Sequence, residues 1–137
     1  LTGPAVARLG ERRVVLLGLA CGVIALFGYG LAGGIVAVVV LMIVHGPEGF
    51  VHPMLTAMMS KAVPDNAQGE LQGGISALTN IAMLMGTVFF TQVFGYFLSD
   101  ARANPSADVA LFLAGAGMLV ALALFVGLVR HKEGAAE

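Results

Sequence analysis

The chain predicts an all-α membrane protein, a polytopic bundle of four transmembrane helices. Three observations predict it. Four long apolar stretches run almost without charge, so that only 11% of residues are charged and 58% are hydrophobic, whereas about a quarter of a soluble domain is charged. The mean hydropathy is +0.94. A run of roughly 20 apolar residues is long enough to cross a hydrocarbon core of about 30 Å. The third observation is a lone carboxylate, Glu48, inside one of these runs and flanked by His45 and His52. An ionisable side chain at that depth costs at least about 2.5–3.5 kcal/mol on insertion scales, which marks it as a candidate functional group.

Residues 1–13 form a loop rich in glycine and arginine. Val14 to Val44 is then 31 residues long without a charge, about 46 Å as one helix and too long for a single untilted crossing. Gly30, Gly33 and Gly34 are the natural place to divide it, because glycine weakens a helix interior and suits a turn. The first span is therefore 14–31 and the second 35–59. A polar loop, 60–71, holds Lys61, Pro64, Asp65, Asn66, Gln68 and Glu70. The third span is 72–98, followed by a polar loop at 99–108, a fourth span at 109–129 and a charged tail at 130–137. The opening Leu1-Thr2-Gly3-Pro4 reads as the middle of a loop, so the chain is expected to be the C-terminal piece of a longer protein.

With four spans, the first loop, the 60–71 loop and the tail share one side, which collects Arg8, Arg12, Arg13, Lys61, Arg130 and Lys132. The other side has Arg102 alone. The positive-inside rule then makes both termini cytoplasmic and the 99–108 loop periplasmic, in a multi-pass protein of the cell inner membrane. A net charge of −1 leaves no basic patch for nucleic acid. Cys21 stands alone and reads as a small packing residue.

On a continuous helix at 100° per residue, His45, Glu48 and His52 fall within about 60° of one another and Thr56 extends the stripe. Such a face turns toward a bundle interior or an aqueous cavity. It suits a proton or cation site, a structural hydrogen-bond cluster, or a zinc site of His, Glu and His. No further ligands lie nearby, so no metal or cofactor is assigned. In the third span, Gln72, Ser76, Thr79, Met83, Thr87 and Phe90 share one side with Asn80 at its edge; interhelical packing and cavity lining both fit that face. Gly18 and Gly22 in the first span and Gly115 and Gly117 in the fourth read as close helix contacts.

Gly3-Pro4-Ala5-Val6-Ala7-Arg8-Leu9-Gly10-Glu11-Arg12-Arg13 resembles the signature loop of the major facilitator superfamily. Ala7 stands where an acid often precedes the arginine, which favours the weaker copy between helices eight and nine. The four spans would then be helices nine to twelve. Pro53-Met54-Leu55-Thr56-Ala57-Met58-Met59-Ser60, then Gln68-Gly69-Glu70-Leu71-Gln72-Gly73, then Ser76-Ala77-Leu78-Thr79 resembles the tetracycline-resistance branch of that superfamily. Together these similarities cover residues 3 to about 95. The resemblance covers Gly49 and Pro53, but not Glu48 or the two histidines.

The resemblance implies the C-terminal part of a secondary transporter, not an enzyme, that exports tetracycline-like or other drug-like molecules in exchange for protons by alternating access. Its partners would be the lipid bilayer, a small-molecule substrate, protons and the missing N-terminal half. The second and third spans would face the pathway and the first and fourth the lipid. Pathway candidates are His45, Glu48, His52, Gln72, Ser76, Thr79, Asn80, Met83 and Thr87. Gly3, Arg8, Gly10, Glu11, Arg12 and Arg13 are the candidate gating loop, with Arg12 and Arg13 as its latch, acting with Glu11 and a partner outside this chain. The alternatives are a membrane-embedded metal-dependent enzyme built on His45, Glu48 and His52, and a non-catalytic assembly segment.

Overall fold

The computed structural model describes residues 10–98 and 108–134, with side chains through 129. All regular structure among the described residues is helical: α1 (Glu11–Leu31), α2 (Ile35–His45), a 3-10 segment (Gly46–Phe50), α3 (Val51–Ser60), a short 3-10 turn (Asp65–Ala67), α4 (Gln68–Leu98) and α5 (Asp108–Gly134). α2, the 3-10 segment and α3 join end to end, so the helices make four rods. Each rod is long and apolar enough to cross a membrane. The protein is an all-α membrane helix bundle.

Local chemistry explains the ends. Gly10 precedes α1 at φ 79° and ψ 153°, a region that essentially only glycine occupies. Its carbonyl accepts the Val14 N–H at 3.2 Å, and Glu11 places a carboxylate where the helix dipole favours one. α1 stops at Leu31, where Ala32 turns extended and donates its N–H to the Tyr29 carbonyl. Gly33 and Gly34 carry the chain into α2. Gly34 is itself extended at φ 179°, a conformation open to any residue, so what they contribute there is poor helix propensity. The polar segment read as a loop through residue 71 is already helical from Gln68, and the tail is helical to Gly134.

The second rod changes pitch at Gly46-Pro47-Glu48-Gly49. Pro47 has no N–H to give the preceding turn and its ring crowds that turn, while the flanking glycines hold α-helix weakly. The backbone tightens to 3-10 geometry from Gly46 to Phe50.

α1 is the hub. Val15, Gly18, Leu19, Gly22 and Ala25 are buried along it, and it packs antiparallel against both the second rod and α5. A Cβ built on Gly18 would lie 2.5 Å from Val51 Cγ2 and 2.8 Å from the Pro47 carbonyl oxygen. One on Gly22 would lie 2.7 Å from Met118 Cε and 3.0 Å from Glu48 Cγ. Gly115 is likewise pressed on Phe27, while Gly117 faces open space, contrary to the expectation of a second glycine contact there. The apolar core gathers Val15, Leu19 and Val51 with Met54, Leu55, Met118, Leu122 and Phe125. α4 touches α3 and α5 sparsely and buries no residue.

Within this chain α1 is the innermost rod, because its glycines admit two neighbours at backbone distance. Outside the core the surface is apolar, with Leu31 78% and Ile35 79% exposed. Such a surface suits hydrocarbon rather than water. In lipid, helices associate by close packing of small residues more than by expulsion of water.

Gly22→Val inserts a side chain into Glu48 and Met118. Overpacking costs typically about 1–3 kcal/mol, so the purified protein should unfold at lower denaturant concentration. Gly117→Val, in open space, should leave the midpoint within about 0.5 kcal/mol of wild type.

Candidate functional site

The polar side chains of the second rod point in two directions. His45 closes α2 and turns toward α1, where its Nδ1 lies 3.4 Å from the Tyr29 hydroxyl and the two rings are 5.8 Å apart. Which of the two donates depends on the imidazole tautomer. Glu48 also turns toward α1, against Gly22 and near Met118 of α5. It is half-buried, on the inner side of the bundle. His52 leaves this face. It is exposed and opens between α3 and α4.

The single stripe expected from a continuous helix is therefore split. A 3-10 segment advances about 120° per residue, so Glu48 stands nearly over His45 while His52 is carried further round the axis. The zinc-site and metal-enzyme alternative needed all three groups on one face, and the rod does not place them there. Among the described residues no group of three His, Cys, Asp or Glu is placed to hold a metal ion.

His52 instead joins a cleft of about 620 Å³ between α3 and α4 that carries several polar side chains. His52, Pro53, Thr56 and Ala57 form one wall, and Gln72, Ile75, Ser76, Thr79 and Asn80 the other. The spacing explains the convergence: 52 and 56 are one turn apart on α3, and 72, 76 and 79 follow at four and three residues on α4. Of the candidate pathway residues, the cleft gathers His52, Gln72, Ser76, Thr79 and Asn80. His45 and Glu48 lie on the α1 side. Met83 and Thr87 are exposed further along α4, outside the cleft lining.

The hairpin that shapes this cleft is tied by the two glutamines of the Gln68-Gly69-Glu70-Leu71-Gln72-Gly73 box. Gln68 Nε2 donates to the Ser60 carbonyl at 2.7 Å and to the Val63 carbonyl at 3.4 Å. Gln72 Nε2 reaches Ser60 Oγ at 3.4 Å. Ser60 ends α3, so both glutamines clamp the start of α4 to the end of the preceding rod. Gln68 and Ser60 were not among the sequence candidates; the signal was two amides one turn apart, directly after a short polar turn. Tyr29 was missed as well. A hydroxyl inside an apolar span needs a partner, and His45 is that partner.

At the end where α1 begins and α3 finishes, Glu11 forms an ion pair with Lys61. The pair closes within this chain, because the antiparallel hairpin returns residue 61 to the start of α1. Gly3 and Arg8 of the candidate gating loop lie outside the described residues. Gly10 shapes the entry to α1 through its positive φ. Arg12 lines a second, apolar groove at the same end, with Leu55, Met58, Met59, Ala62, Phe125, Leu128 and Val129.

No family model matches the chain, and no solved structure matches it. Curated relatives do. It is 38% identical over 96 residues to the class G tetracycline resistance protein of Vibrio anguillarum, and 31% identical over 96 residues to the class C tetracycline resistance protein of Escherichia coli. Each match covers 69% of this chain and 24% of the relative. It is also 30% identical over 76 residues to the proton-coupled folate transporter of Rattus norvegicus, covering 56% of this chain and 15% of that protein. The chain thus spans about a quarter of the length of the tetracycline resistance proteins it matches. Over the matched stretch it is related to the tetracycline-resistance branch of the major facilitator superfamily.

Replacing Gln68 with Ala removes the short bond to the Ser60 carbonyl. The loss should lower stability by about 1 kcal/mol, read as an earlier thermal unfolding midpoint. Asn66→Ala, in the same turn, should shift that midpoint less.

Proposed function

We propose that this chain is the four-span C-terminal part of a membrane transporter, not an enzyme, that expels tetracycline-like or other drug-like small molecules by alternating access in exchange for protons. The observation that carries the reading is the cleft between α3 and α4, where hydrogen-bonding side chains gather in a bundle whose outer surface is largely apolar. Six side chains able to donate or accept hydrogen bonds (His52, Thr56, Gln72, Ser76, Thr79 and Asn80) line it beside the aliphatic surfaces of Pro53, Ala57 and Ile75. A few placed polar groups in a mostly apolar lining are what small-molecule sites use. The tetracycline resistance proteins and a proton-coupled transporter among the relatives point the same way.

The roles divide by place. His52, Gln72, Ser76, Thr79 and Asn80 contact substrate in the cleft. Glu48, on the inner side of the rod, takes and releases the coupling proton, with His45, itself in contact with the Tyr29 hydroxyl, one turn earlier on the rod. Met83 and Thr87 extend the same face of α4 beyond the cleft and meet the opposing half of the transporter. The Glu11–Lys61 pair, with Arg12 and Arg13, holds the basic end closed in one state. That end faces the cytoplasm under the positive-inside rule, with both termini on the same side, and the protein resides in the cell inner membrane.

In everted vesicles carrying the complete transporter, Glu48→Gln should lower proton-driven tetracycline export at least tenfold while leaving protein level and insertion unchanged. Export equal to wild type would remove Glu48 from coupling. Thiol labelling tests the cleft separately. With Cys21 first changed to Ala, Thr56→Cys and Ser76→Cys should react with a membrane-impermeant maleimide and be protected by substrate. Leu78→Cys, on the exposed apolar side of α4, should stay unlabelled. Equal labelling at all three positions would rule out an aqueous cleft.

A further inference from the structure

The groove at the basic end has a chemistry of its own, independent of the transport reading. It lies among α1, the end of the second rod and the end of α5, and holds about 470 Å³, within the range of ligand sites. Its walls are Leu55, Met58, Met59, Phe125, Leu128 and Val129, and Arg12 is its charged residue. Leu128 is 68% exposed, so the groove opens outward from these four rods. Arg12 stands in the first turn of α1, at the edge of an apolar rod and therefore at the depth of lipid headgroups.

We propose that this groove binds one anionic phospholipid, with its phosphate on the Arg12 guanidinium and part of an acyl chain along Leu55, Met58, Phe125 and Leu128. Charge complementarity selects the occupant. A planar guanidinium matches two phosphate oxygens at once, and its five donors let Arg12 keep its contact within the protein while it binds a phosphate. Arg13 is next in sequence, and Lys61 returns to this end through its ion pair with Glu11. Basic pockets between membrane helices are suited to anionic headgroups. The two methionines give an unbranched, adaptable wall to a flexible chain. A free phosphate would use Arg12 alone and leave the apolar walls unfilled, so the lipid is the occupant that satisfies both halves of the groove.

The test is native mass spectrometry of the complete protein, released from detergent micelles doped with phosphatidylglycerol or phosphatidylcholine. The wild type should retain one phosphatidylglycerol and lose phosphatidylcholine at lower collision energy. Arg12→Gln should reduce the retained phosphatidylglycerol about tenfold, as loss of a charge-assisted contact does. Leu128→Trp, which fills the groove mouth and keeps the charge, should reduce it comparably and guards against misfolding of the first variant. Equal retention of the two lipids, or undiminished phosphatidylglycerol in both variants, would overturn the site. Displacement of the lipid by millimolar inorganic phosphate would overturn it too, by showing that the acyl groove contributes nothing.

Discussion

The close approach of two rods to α1 at Gly18 and Gly22 is the contact on which the bundle depends. In hydrocarbon there is no water to expel between apolar surfaces, so helices are held by how tightly their surfaces fit. The missing side chains at 18 and 22 let the Pro47 carbonyl, Val51, Glu48 and Met118 reach the α1 backbone. The core of Val15, Leu19 and Val51 closes beside that contact. α4 has no comparable small-residue seam, and it remains loosely attached to the rest of the chain.

That seam also settles where the acid sits. Pro47 cannot continue the hydrogen-bond ladder of α2, and the resulting 3-10 segment presses its backbone into the space above Gly18. Glu48 is thereby carried onto Gly22, while His52 emerges on the opposite side. The same local break thus creates two polar environments, one inside the bundle and one in the α3–α4 cleft.

Much of this was legible in the residues. Uncharged runs, glycine breaks and polar turns mark four rods, and the Gln-Gly-Glu-Leu-Gln-Gly box marks the opening of α4. Gln72, Ser76 and Thr79 share a face because helical spacing alone puts them there. The stripe of His45, Glu48 and His52 was not recoverable, because a helical wheel assumes constant pitch and Pro47 changes it. Tyr29 was overlooked for a different reason. A single hydroxyl in an apolar span identifies a need for a partner, but not which helix supplies it.

By itself the sequence determined the class of the protein, since charge and hydropathy state which solvent each segment prefers, and that preference is local. It also contained the glycines and prolines at which backbone geometry must change. Only the tertiary structure decided that α1 is the hub, that Glu11 pairs with Lys61, and that the polar face of the second rod divides. Those outcomes depend on which surfaces fit at backbone distance, and such a fit belongs to pairs of helices rather than to either one alone.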